Sequence, residues 1–164
     1  MRDSSVPYFG QLFWLAFLAI GHAAVPSLAQ AQNVQSLLGT WSGRGKVTLK
    51  AGNRESIKCN AYNKRDGNEL SLVVRCASPS YKIEIRSKLI KRGAVLTGHW
   101  EERTYNATGT ASGMISAKSV ELGISGGGFR GRMDVAYTRS HQTIKITTEG
   151  IDLKSVEINL VRTR

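Results

Sequence analysis

Residues 38–49 read LGTWSGRGKVTL. Trp41, Gly43, Gly45, Val47 and Leu49 take every second position, and Ser42, Arg44, Lys46 and Thr48 fill the gaps. A strand sends successive side chains to opposite faces. The stretch therefore predicts a strand with one apolar face and one polar, basic face. Two glycines fall on the face that should pack a core. Glycine weakens a strand unless it permits a bend, a bulge or a close approach.

The same alternation runs through most of the chain. IKCNAYN (57–63) and ELSLVVRCA (69–77) flank KRDGN (64–68). A two-residue turn at Gly67-Asn68, with glycine at the first central position, fits a type II′ hairpin. That register sets Cys59 opposite Cys76 and Ala61 opposite Val74. Opposed residues hold their Cβ atoms ~4.5–5.5 Å apart, and a disulfide needs ~3.5–4.5 Å. A Cys59–Cys76 bridge is therefore expected, and these are the only two cysteines in the chain.

Tyr81, Ile83 and Ile85 alternate with Lys82, Glu84 and Arg86. A turn centred on Arg92-Gly93 would pair Leu89 with Leu96 and Ile85 with Trp100. Phe129, Gly131, Met133, Val135 and Tyr137 alternate with Arg130, Arg132, Asp134 and Ala136. Ile144 and Ile146 follow, then Val156, Ile158 and Leu160. Between 104 and 124 the parity slips: Ile115 and Ala117 share one phase, Val120, Leu122 and Ile124 the other. A bulge near Lys118-Ser119 would reconcile them. Helical periodicity is confined to NVQSLL (33–38). About eight to ten short strands separated by turn signals predict an all-β antiparallel meander. Closure removes exposed edges, so an up-and-down β-barrel is expected, with a β-sandwich as the alternative.

The chain opens MRDSSVPYFGQLFWLAFLAIGHAAVPSLAQAQ. An apolar run from Leu12 to Val25 precedes Pro26 and the small-x-small triplet Ala29-Gln30-Ala31. The run is shorter than the ~20 residues of a spanning helix, so residues 1–31 are expected to be a signal peptide. Residues 32–164 then form a single barrel domain without a transmembrane segment. The signal carries one Arg and one Asp, so its loss leaves the net charge at +11. Such a charge favours anionic partners. After export these would be lipid headgroups, acidic glycans or phosphorylated envelope components rather than nucleic acid. Two cysteines in an exported chain agree with a structural bridge.

Two explanations fit the inner-face glycines Gly43, Gly45, Gly98 and Gly131. They are corners that let strands curve, with aromatic side chains filling the space. Or they leave room for a small ligand, in a cavity lined by Trp41, Gly43, Gly45, Trp100, Phe129, Met133 and Tyr137. On the outer face, Arg44, Lys46, Arg130, Arg132 and Lys145 are candidates for one anion-binding patch, because the first and last strands of a closed meander are neighbours.

Gly39-Thr40-Trp41 resembles the Gly-x-Trp that opens the first strand of lipocalins and avidins, the calycin pattern. The later lipocalin motifs are absent. The stretches GTWSGRGKVTL, IKCNAYN, VVRCASPSYKIEIRS, LTGHWEE and GTASG resemble small uncharacterised exported bacterial proteins. That resemblance implies no activity. A third resemblance is to bacterial barrel inhibitors of secreted metalloproteases, which insert an N-terminal segment into the protease cleft. Here that segment would be Gln32 to Leu38, although the cysteine positions differ.

No catalytic constellation emerges. His99, Glu101 and Glu102 read as surface residues, and no ligand-spaced cluster links His99 to His141. SGGGFRGR (125–132) lacks the lysine and the following helix of a phosphate loop, so it reads as a hairpin turn. Asn106-Ala107-Thr108 is a glycosylation sequon only in a eukaryotic secretory pathway. Serines lack a paired base. The expectation is an exported, non-enzymatic barrel without metal or cofactor, periplasmic or secreted. It would bind a small apolar ligand inside or an anionic envelope component outside. Inhibition of a secreted protease is the alternative.

Overall fold

A computed structural model describes residues 34–163. The expected signal peptide lies outside them, as do Gln32 and Asn33. A short helix at 34–37 leads into ten strands. They are β1 (Gly39–Leu49), β2 (Arg54–Asp66), β3 (Glu69–Ala77), β4 (Lys82–Arg92), β5 (Val95–Glu102), β6 (Ala107–Ile115), β7 (Ser119–Gly126), β8 (Phe129–Tyr137), β9 (His141–Glu149) and β10 (Leu153–Arg162). Each strand pairs with the next, and β10 pairs with β1. The meander thus closes into one antiparallel barrel. The sandwich alternative fails because β1 has ladder partners on both sides: Trp41 faces Ala61 of β2 and Arg162 of β10. No helix among the described residues is long and apolar enough to cross a membrane.

The alternation read from sequence is the in–out alternation of the barrel. Trp41, Val47, Ile57, Ala61, Leu89, Leu96, Ile144 and Ile158 are all buried. The even-numbered partners on β1, Arg44 and Lys46, are exposed.

Two registers differ from the expectation. β4 and β5 pair Leu89 with Gly98 and Ile85 with Glu102, so the turn is centred on Gly93-Ala94, not Arg92-Gly93. Gly93 has φ 61°, and a type II′ turn places that residue first. The register moves by two, which leaves every side chain on its expected face. Between β6 and β7 there is no bulge. The chain turns over at 116–118, with Ile115 opposite Val120. Ser116 braces the turn through its hydroxyl, 2.8 Å from that of Ser119, and its N–H donates to the Ser119 carbonyl at 2.8 Å. The parity slip is a hairpin with four residues, an even number, between the opposed Ile115 and Val120.

Cys59 and Cys76 are opposed in the β2–β3 ladder and bonded. Gly67 has φ 53°, and Asn68 does not share a positive φ, as a type II′ turn requires. The bridge closes a loop of sequence separation 17. Replacing both cysteines by Ala is expected to lower the unfolding free energy by about 3 kcal/mol. The check is a lower urea midpoint, with a denaturant slope that stays the same or rises because the unfolded chain, freed of its loop, exposes more surface. An unchanged midpoint would show that the bridge adds no stability.

Candidate functional site

The barrel has two unlike ends. One is closed by the helix at 34–37. Leu37 is fully buried, and Val34 is nearly so. A helix this short leaves its carbonyls without intrahelical partners, and inward polar side chains of the barrel supply them. Trp41 Nε1 donates to the Leu37 carbonyl at 3.2 Å, and Asn63 Nδ2 donates to the same oxygen at 3.0 Å. Arg162 donates to the Leu38 carbonyl at 2.5 Å and to the Ser36 carbonyl at 2.7 Å. Its guanidinium also lies over the Trp41 ring, 4.2 Å from the centroid. Residues 34–37 are thereby packed into the barrel, which leaves this part of the chain unavailable as an inserting arm for a protease cleft.

The other end opens between the loops at 78–81, 103–106 and 150–152. Beneath them lies a cavity of about 480 Å³, within the size range of small-ligand pockets. Its wall is almost wholly apolar, with Ile83, Ile85, Ile146 and Val156 among the lining residues. Trp100 and Phe129 form a tilted ring pair on this wall, with centroids 5.2 Å apart. The indole N–H of Trp100 donates to the Ser125 carbonyl at 3.3 Å. The Thr148 hydroxyl donates to the Leu153 carbonyl. The Cys59–Cys76 bridge also reaches the cavity, through Cys76.

Of the seven residues considered as lining, Trp100, Phe129 and Met133 border this cavity. Trp41 packs under the helix at the closed end. Tyr137 sits at that end too, its hydroxyl donating to the Ser116 carbonyl at 2.9 Å, and burial pushes its phenol up from the ordinary range. Gly43 and Gly45 do not line open space. A Cβ on Gly43 would overlap the Asn159 carbonyl oxygen, and one on Gly45 would stand 2.5 Å from that of Glu157. Gly98 meets the Lys88 carbonyl in the same way. The inner glycines are corners where a neighbouring strand crosses close, and the cavity lies beyond them.

Glu102 is the correction among the polar candidates. It is inward, only 9 % exposed, and borders the cavity. Its Oε1 accepts from the Glu84 N–H at 2.8 Å and its Oε2 from the Tyr105 N–H at 2.5 Å. The signal was present: Glu102 shares the parity of Trp100. His99 and Glu101 are exposed on the outer face, as expected, with Glu101 3.9 Å from Arg86. Arg86 also contacts Glu84, whose carboxyl it holds below the usual range with help from Arg75. The glycine-rich stretch is the β7–β8 hairpin, turning at Gly127 and Gly128 with φ 60° and 82°.

The five outer basic residues do not form one continuous patch, because acids interleave with them. Across adjacent strands, Lys46 faces Glu157, Glu157 faces Lys145, and Lys145 faces Asp134. Lys145 is 3.5 Å from Glu157. Arg132 is held between Glu121 at 2.7 Å and Asp134 at 2.8 Å. Arg130 pairs across the ladder with Glu149, and of the five only Arg44 stands directly opposite a basic residue on a neighbouring strand, Lys58. Alternating signs lower the local field of such a surface.

Neither a protein-family model nor a curated protein matches this sequence. Solved structures do match. Rv2717c from M. tuberculosis superposes with a TM-score of 0.68 at 14 % identity, over 84 % of this chain and 99 % of that one. The S-type phycobiliprotein lyase CPES from Guillardia theta gives 0.58 at 10 % identity, over 82 % and 93 % of the two chains. A protein of unknown function from the DUF3598 family of Nostoc punctiforme gives 0.56 at 9 % identity, over 79 % of this chain and 48 % of that longer one. At these identities the likeness shows the fold alone. The chain is a small, closed, ten-stranded antiparallel β-barrel.

Proposed function

We propose that this protein is an exported, non-catalytic carrier that holds a small apolar ligand in the open half of its barrel. The observation that carries this reading is the contrast between the two halves. One is filled by a helix, Trp41 and large aliphatic side chains. The other keeps about 480 Å³ behind an apolar wall. Packed interiors rarely keep voids larger than a water molecule. A cavity of this size that opens at a loop end is the usual form of a ligand site. The bridged cysteine pair supports residence in an oxidising compartment such as the periplasm. The polar groups on the wall support binding rather than chemistry. Glu102 accepts two backbone N–H groups and the Thr148 hydroxyl donates to a carbonyl, and among the described residues no side-chain hydrogen bond pairs either with a nucleophile or base. One protein of this fold is named as a phycobiliprotein lyase. A fold supports many functions, so the reading rests on this chain's own cavity. The interleaved acids make the outer face a weaker candidate for an anionic envelope component.

The test is titration with a neutral fluorescent lipophile such as Nile red, alone and against Met133→Trp. Met133 borders the cavity and is buried, so the larger ring would occupy the ligand volume. The variant is expected to lose at least about tenfold in affinity while keeping its melting temperature. Equal binding by both proteins would place the dye elsewhere and overturn the reading.

A further inference from the structure

We infer that the cavity selects an apolar ligand with a cationic nitrogen head, an alkylammonium type, over the corresponding carboxylate. The inference rests on the carrier reading above. The chain has 23 Lys and Arg against 12 Asp and Glu, yet among the described residues no Lys, Arg or His borders the cavity. The carboxylates that border it are Glu102 and, in the 150–152 loop at the mouth, Asp152. Among the described residues of this basic protein, the charge around the apolar site is thus acidic.

The geometry at Glu102 fits it to receive such a head. Both oxygens accept backbone N–H groups, which is the bonding of an acceptor-only carboxylate with lone pairs to spare. Those two bonds also fix the group in place, so it needs no rearrangement to meet a ligand. Trp100 stands two residues earlier on the same face of β5 and pairs with Phe129. Aromatic faces beside a carboxylate favour a cation. An alkyl chain would lie along the aliphatic wall. A fatty-acid head in the same position would meet Glu102 without a counter-charge, and in an apolar surround that repulsion is costly.

The test is calorimetric titration of the full chain with three ligands of equal chain length: decanol, decylammonium and decanoate. Decanol is expected to bind. Decylammonium should bind about tenfold more tightly than decanol, and decanoate about tenfold more weakly. In Glu102→Gln the advantage of the ammonium over the alcohol should fall to about threefold or less. A cooperative thermal melt shows that this variant is folded. Should the variant fail to fold, the wild-type ranking still decides. Decanol binding with decanoate equal to or tighter than decylammonium would overturn the inference and leave the carrier reading standing. Failure of all three to bind would overturn both.

Discussion

Arg162→Met is expected to lower the unfolding free energy by roughly 2–4 kcal/mol. The side chain performs three tasks that a thioether cannot share. It lies over the Trp41 ring at 4.2 Å. It satisfies the Leu38 and Ser36 carbonyls that the short helix leaves open. It also donates through Nε to the Arg139 carbonyl at 2.7 Å, tying the β8–β9 turn to the same corner. Methionine fills part of the volume but strands these acceptors, and an acceptor left unpaired loses more than the bond was worth. Urea unfolding measures the loss. Hydrogen exchange locates it, because protection should fall first at residues 34–37. Arg162→Lys should recover only part of the stability, since one ammonium cannot fork between separate carbonyls. A lysine variant as stable as the wild type would show that charge alone matters at this corner.

Gly43→Val should be nearly as damaging, at roughly 3 kcal/mol or more. Valine is a good strand former, so propensity alone predicts a gain. The loss comes from the seam between β1 and β10. A Cβ at Gly43 would overlap the Asn159 carbonyl oxygen and press on the Leu160 backbone. Backbone cannot swing aside as a side-chain tip can, so the two strands that close the barrel must separate there. Gly123→Ala is the control. A Cβ there meets nothing closer than the Ser112 carbonyl at 3.7 Å, and the exchange should be neutral or stabilising by about 0.5 kcal/mol. Thermal melts of the two variants check both signs. Equal effects would mean that glycine content, not close approach, sets the cost.

The glycine result shows how far the sequence could be read. Period-two alternation gave the strands, the inward face and the Cys59–Cys76 pairing, because each depends on parity and on one turn type. At Gly67 the rule that glycine takes the first central position gave the correct register. Gly93 obeys the same rule, and centring that turn one residue early cost two positions of register without moving any face. The break in phase between Ile115 and Val120 was visible in the sequence. A bulge and a short hairpin both reverse parity, however, and local pattern does not separate them. Corner and cavity were also indistinguishable, since an absent side chain looks the same whether backbone or open space takes its place. Glu102, Asn63 and Arg162 were legible in principle. Each is a polar residue on an inward position, and such residues mark places where the barrel must satisfy something. Their partners lie up to 126 residues away, beyond any local signal.

The corner where Arg162 meets Ser36 and Leu38 also sets an order of events during synthesis. The first strand finds one neighbour early, in β2, but its other edge waits for β10, and the helix that closes the end waits for Arg162. Until residue 162 has been made and is free to move, an incomplete chain presents two unpaired strand edges and an unsealed apolar interior. Closure therefore needs β10 and Arg162 in place. A chain truncated before β10 would be an open sheet prone to pair with its neighbours, rather than a smaller barrel.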